Sequence, residues 1–208
     1  AKDSKAMKRF LIHNITERYL QSPYMGHDKI YVELVKAYYE TGIADWVSPS
    51  DMEKNIERAH KWENLLLGKQ VPDLACMDSA NVWHNTRDCN KDFKILLFWS
   101  PGCGHCSVEV PKYDKFYKEK KDIYSFEIFA INTESDLEAW KKFIKEKNLQ
   151  WINLNGLVAN YDWREYFDIE KTPIMFILDR NNTIVAKNVP ADNIETIIKA
   201  LKEGRLNF

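Results

Sequence analysis

The chain has 208 residues, enough for one large domain or two small ones, and 45% of them are hydrophobic, so a real core can form. Thirty basic residues stand against thirty-one acidic ones, a net charge of −1, which removes the electrostatic case for a nucleic-acid partner or an anionic membrane. No apolar run reaches the length of a membrane span, no signal peptide is present, and the opening Ala1-Lys2-Asp3-Ser4, without an initiator Met, reads as a processed or trimmed product, which leaves the compartment open.

The first 68 residues read as helical throughout. Phe10, Leu11, Ile15, Tyr19 and Leu20 recur at helical spacing until Ser22-Pro23 breaks the pattern. A second run from Lys29 to Tyr39 places Ile30, Leu34, Val35 and Tyr38 on one face and stops near Gly42. Ser50 with Glu53 three residues later has the pattern of a capping box and opens a third helix through Ile56, Ala59, Trp62 and Leu66, which Gly68 should end. Three amphipathic helices without a strand predict a small all-α domain over residues 1–68.

After Gly68 the pattern changes. Val71-Pro72-Asp73-Leu74 begins an extended segment, and Lys94–Trp99 is a short apolar run that fits a buried strand. Cys103 to Lys121 reads as a helix with Pro111 as a kink, Ile123 to Asn132 as a strand, and Asp136 to Asn148 as an amphipathic helix. A short strand at Gln150–Leu154 and a helix around Trp163–Phe167 follow. Ile174–Leu178 and Thr183–Val189 form a hairpin across Asp179-Arg180-Asn181-Asn182, and Ile194–Leu201 closes the chain as a helix. Residues 69–208 are thus predicted as an α/β domain, a mixed central sheet flanked by helices.

The chemistry is concentrated where the Lys94–Trp99 strand runs through Ser100-Pro101-Gly102 into Cys103-Gly104-His105-Cys106 at a helix start. A nucleophilic sulfur must be thiolate, and a helix N-terminus offers free N–H groups and the positive end of a dipole. A free thiol with a pKa near ~8.5 is only about 3% ionised at pH 7, whereas at ~6.5 it would be about 75% ionised. That shift is worth roughly 2.7 kcal/mol, more than the about 0.3–1 kcal/mol a helix dipole supplies. Hydrogen bonds from the helix N–H groups and from Cys106, with a contribution from protonated His105, must therefore add the rest. The helix also places Cys103, Cys106 and Glu109 at successive i, i+3 positions. Cys103 at the exposed end would attack a substrate disulfide, Cys106 would resolve the mixed disulfide, and Glu109 could take its proton. The alternative for Glu109 is a solvated helix carboxylate. Thr172-Pro173 stands immediately before an apolar strand, where proline is unfavourable. A cis bond there would leave the Thr172 backbone free to pair with a substrate strand.

Phe98-Trp99, Cys103-Gly104-His105-Cys106, Glu109 with Pro111, and Thr172-Pro173 together resemble the thioredoxin superfamily, specifically its TlpA/ResA-like branch of extracytoplasmic oxidoreductases. The resemblance spans about Gly68 to the end. The N-terminal stretch Phe10 to Leu20 is similar to a helical domain of uncharacterised role found ahead of such modules in anaerobic Gram-negative bacteria. The resemblance implies a thioredoxin-like fold and a periplasmic or cell-envelope protein, with a lipid anchor on the removed N-terminus as one form. It implies exchange with protein thiols and disulfides, an upstream redox partner, and no cofactor or metal. It assigns catalysis to Cys103, Cys106, Glu109 and His105, and substrate binding to Thr172, Pro173, Gly104 and Trp99. Two features depart from thioredoxin itself: Gly102 stands where Trp precedes the first active-site Cys, and Gly-His replaces Gly-Pro between the cysteines. His105 points toward an oxidant and the branch toward a reductant, the direction favoured here.

A peroxiredoxin-like peroxidase would need a different spacing of Pro and Thr ahead of the reactive Cys. A non-catalytic haem or metal carrier would need His directly after Cys106, where Ser107 stands, or a second C-x-x-C for a four-ligand zinc site. Cys76 and Cys89, either side of a polar segment that could be a hairpin, read as two unpaired thiols with Cys76 buried in a strand, or alternatively as a disulfide. His13, His27, His60 and His84 read as structural or exposed. The physiological substrate and the oligomeric state stay open.

Overall fold

The computed structural model describes residues 2–206. By the pattern of internal contacts the chain forms two compact units. One runs to Leu66 and also takes in Tyr166–Asp168; the other holds Leu67–Glu165 and the chain from Ile169 onward.

The first unit is built on three helices, α1 (Lys2–Leu20), α2 (His27–Tyr38) and α3 (Pro49–Asn64). Ile12, Tyr31, Val32, Val35, Tyr39, Ala44 and Ala59 form its core, and the Tyr31 ring lies 4.9 Å from that of Trp62. The start of α3 is two residues earlier than the Ser50–Glu53 pattern predicts. Ser48 is the N-cap: its Oγ accepts from the Asp51 N–H at 3.1 Å and donates to the Asp51 carboxylate at 2.7 Å. Pro49 explains the difference, since a residue without an N–H fits the first helical position. The helix also ends before Gly68, at Asn64. Gly68 instead adopts a left-handed conformation and donates its N–H to the Ile184 carbonyl at 2.9 Å, so it begins the second unit rather than closing the first.

The second unit is a seven-stranded mixed sheet, order β2-β1-β5-β4-β3-β6-β7. The strands are β1 (Ala75–Asp78), β2 (Trp83–Asn85), β3 (Phe93–Trp99), β4 (Phe126–Asn132), β5 (Ile152–Ala159), β6 (Ile174–Leu178) and β7 (Ile184–Lys187). Strands β3, β4 and β5 run parallel; β1 and β2 extend the sheet antiparallel beside β5, and β6 and β7 do so beside β3. All seven residues of β3 are buried, as expected of a central strand covered on both faces. Between the strands lie α4 (Gly104–Tyr124), α5 (Leu137–Lys147) and α6 (Trp163–Tyr166), and α7 (Ile194–Lys202) follows β7.

Two boundaries differ from the sequence pattern. Helix α4 continues to Tyr124, with Pro111 inside it, and closes through Ser125 in a left-handed conformation, so β4 starts at Phe126 rather than Ile123. Strand β5 runs to Ala159 rather than Leu154. The polar segment after Cys76 is the β1–β2 hairpin, with Cys76 paired across from His84. Cys76 and Cys89 are both free, Cys76 fully buried.

Candidate active site

The first active-site turn forms where β3 ends at Trp99, at the C-terminal end of this central strand. There the Cys103 N–H donates to the Ser100 carbonyl at 3.3 Å, folding Ser100-Pro101-Gly102 into a turn. Cys103 is the N-cap of α4, and its Sγ accepts from the Cys106 N–H at 3.3 Å. From the other side, the loop ahead of β6 brings up Thr172, whose carbonyl oxygen lies 3.0 Å from the Cys103 Sγ. The Thr172–Pro173 peptide bond is cis, as the sequence predicts.

The two thiols sit in opposite environments. Cys103 is half-buried and Cys106 fully buried. Burial works against ionisation of Cys103 and the Thr172 carbonyl favours its protonated form. The Thr172 hydroxyl, the Cys106 thiol and the N–H groups of Cys106 and His105 outweigh them, so its pKa falls below the ordinary thiol value. Burial pushes the Cys106 thiol up to about 12, against the opposing effect of the Ser100 N–H. One thiol is thus partly exposed and shifted toward the thiolate, and its neighbour is buried and held protonated.

The remaining expected residues divide. Gly104 and His105 are exposed at the helix start. The backbone N–H of His105 favours the Cys103 thiolate. Its imidazole makes no hydrogen bond or ion pair among the described residues. Glu109 lies one turn beyond Cys106. Its carboxylate accepts from Lys112 Nζ at 2.9 Å and from the Ala191 N–H at 3.3 Å, and makes no hydrogen bond to Cys106. Near both is Tyr113, whose hydroxyl donates to the Val189 carbonyl at 2.8 Å. The tyrosine pKa is raised, first by burial and then by the nearby Glu109, Asp192 and Cys106 charges. Trp99 must be withdrawn from the substrate surface: it is fully buried, its ring 5.0 Å from that of Phe143, because it is the last residue of a strand covered on both faces.

Two residues to which the sequence pattern assigns no role, Ser100 and Glu134, complete the rim. The Ser100 hydroxyl donates to Glu134 Oε1 at 2.6 Å, and the Glu134 carboxylate lies against Gly102. The signal for them was the parallel register of β3 on β4, which pairs Trp99 with Asn132 and so brings the residues following each strand side by side. Among the described residues, no group of three or more His, Cys, Asp or Glu side chains converges as a metal-ligand set.

Fold and site together define a dithiol protein in which a strand-to-helix turn presents one ionisable sulfur and covers another. A family model described as Thioredoxin-like matches residues 91–184, a span that contains both cysteines and Thr172-Pro173. The chain is 30% identical to a domain of a possible thiol-disulfide isomerase from Cytophaga hutchinsonii, covering 67% of this chain and 95% of that domain with a TM-score of 0.61. It is 26% identical over 123 residues to the Thioredoxin-like protein YneN of Bacillus subtilis, 56% of this chain and 68% of that protein. A thioredoxin-like protein from Bacteroides caccae shares the fold over 88% of this chain and 66% of its own length, with a TM-score of 0.72 at 15% identity. The chain belongs to the thioredoxin superfamily, among its thiol-disulfide oxidoreductases.

Proposed function

We propose that this chain exchanges its Cys103–Cys106 dithiol with disulfides of protein partners in the cell envelope, in the reducing direction. The observation that carries the reading is the asymmetry of the pair, a partly exposed thiol favoured as thiolate above a buried thiol held protonated. The Cys103 thiolate attacks one sulfur of a substrate disulfide; a Cys103–substrate bond forms and the second substrate sulfur leaves as a thiolate that takes a proton from water. Cys106 then loses its proton, passed to Glu109 by way of water, and attacks the Cys103 sulfur. The Cys103–Cys106 disulfide forms, the first substrate sulfur is released as a thiol, and the substrate has gained two electrons. An upstream redox partner returns the pair to its dithiol state.

Docking falls to the backbone of Thr172 and Pro173 with Gly104, since the Thr172 carbonyl already lies at hydrogen-bond distance from the attacking sulfur. The reducing direction rests on the resemblance to the TlpA/ResA-like branch. The lowered Cys103 pKa alone would favour the dithiol and so a more oxidising couple, whereas Cys106 stays protonated. Envelope placement rests on the resemblance to the TlpA/ResA-like branch; no helix among the described residues is long and apolar enough to cross a membrane. The helical domain, residues 1–68, is assigned a docking or positioning role for these partners.

A Cys106→Ser chain tests the reading. It should accumulate mixed disulfides through Cys103 when mixed with envelope extract, and the unaltered chain should reduce insulin. Absence of both would remove the proposal.

A further inference from the structure

We propose that Glu134 is a specificity-determining residue of this active site, selecting disulfide partners that carry a cationic side chain beside the reactive cysteine. The inference rests on the oxidoreductase reading above and adds a preference to it.

The argument begins at Gly102, the residue directly before the nucleophile. A Cβ built at this position would lie 3.0 Å and 3.2 Å from the two Glu134 carboxylate oxygens. The carboxylate therefore fills the space that a side chain at 102 would occupy, and what borders Cys103 on this side is a negative charge. Glu134 is held there rather than passing by. Its Oε1 accepts from the Ser100 hydroxyl at 2.6 Å, and its backbone is clamped by Asn132, which accepts from the Glu134 N–H at 3.2 Å and donates to the Glu134 carbonyl at 2.7 Å. Asn132 and Ser100 are themselves buried, so the clamp is fixed to the ends of β4 and β3.

The charge is open and unneutralised. Glu134 is exposed, and the Ser100 hydroxyl, a neutral donor, is its one side-chain partner among the described residues. Arg164, on α6, is engaged with other groups: it donates to the Thr133 carbonyl at 2.9 Å and lies over the Trp163 ring at 4.1 Å. On the far side of the nucleophile, a Cβ at Gly104 would meet nothing within 4 Å. A chain crossing Cys103 thus meets backbone at both neighbouring residues, and the Glu134 carboxylate is the charged group it passes on the Gly102 side. An arginine or lysine flanking the attacked cysteine would be attracted to it, and a glutamate repelled, with an interaction that salt screens.

The test uses the full chain in its reduced form, freed of excess reductant, and symmetric disulfides of a short capped peptide whose central Cys is flanked by Arg, Gln or Glu. The second-order rate constant of a single turnover is measured for each peptide at low and high salt. The Arg peptide should react about fivefold faster than the Gln peptide at low salt, and the Glu peptide more slowly still. These ratios should contract toward one at high salt and in Glu134→Gln, whose amide oxygen can still accept from Ser100, and Glu134→Lys should reverse the order. Equal rates for the three peptides with the unaltered chain, or ratios that Glu134→Gln leaves in place, would overturn this proposal while leaving the oxidoreductase reading intact. No reaction with any of the disulfides would overturn both.

Discussion

Cys103 and Cys106 are the same chemical group one helical turn apart, so their difference must come from surroundings. Cys103 faces donors on the turn and on Thr172, while Cys106 lies on the buried face of α4. Iodoacetamide alkylation should therefore label Cys103 with a midpoint below the ordinary thiol value of ~8.5, and should leave Cys106 untouched until the pH approaches about 12. Thr172→Val removes the hydroxyl donor and keeps the carbonyl, so the Cys103 midpoint should rise; an unchanged midpoint would show that the N–H groups alone set it. The sign for stability follows. A thiol whose pKa is lowered by folding contributes stability above its unfolded value, and that contribution is lost as the pH falls through the folded one. At this scale the sequence was informative about Cys103, Cys106 and Pro173, because their spacing to each other is local or their residue type is rare at that place. It said little about what each side chain touches. The buried Trp99 and the free His105 imidazole depend on strand neighbours and helix facing that no local spacing encodes.

Elements were legible where one pattern dominated and blurred where two competed. The apolar run of β3 and the amphipathic α5 emerged with boundaries within a residue or so, since burial on both faces or on one stripe leaves a plain period. The α4–β4 junction did not, because Ile123 continues the apolar pattern of the strand although Ser125 is where the helix closes. The extension of β5 to Ala159 was hidden for a different reason: its later residues pair with β1, a partner from far along the chain. Gly156 lies in that extension and shows what the pairing demands. A Cβ there would overlap the Asn132 carbonyl oxygen and come within 2.8 Å of Ile131 Cγ2, both on β4, so the strands approach only because the residue has no side chain. The Gly156 carbonyl also accepts from the Trp163 indole N–H at 2.8 Å, which ties α6 to the same spot. Gly156→Ala should destabilise the fold by about 1–3 kcal/mol, the usual cost of overpacking a filled interior. Urea unfolding followed by tryptophan fluorescence would report it as a lower midpoint with unchanged slope. A midpoint equal to that of the unaltered chain would mean that β4 and β5 can part without cost.

At the level of the whole molecule, the sequence places the boundary between its parts at Gly68, whereas the contacts draw a less simple line. Tyr166–Asp168, carried on the connection between β5 and β6, belongs with the N-terminal helices. The reason is visible in one carboxylate: Asp168 accepts from the Trp62 indole N–H at 2.7 Å and pairs with Arg58 Nε at 3.4 Å, both on α3. The neighbouring Phe167 is almost fully buried. A contiguous cut through the chain at residue 68 would therefore strip the helical unit of three residues it packs around. Asp168→Ala removes the acceptor while leaving the indole and the guanidinium in place, so both lose a charged partner. Hydrogen bonds to charged groups are worth about 1.5–3 kcal/mol, and in a chain of this length each kcal/mol moves the melting temperature by about 2–4 °C. The variant should melt several degrees lower in a calorimetric scan, Asp168→Asn less so because an amide oxygen still accepts from Trp62. Cys103 alkylation should keep its pH midpoint in both, since none of the groups that set it lies in the helical unit. A shifted thiol midpoint in Asp168→Ala would mean instead that the helices act on the chemistry of Cys103, and that the two units cannot be treated as independent.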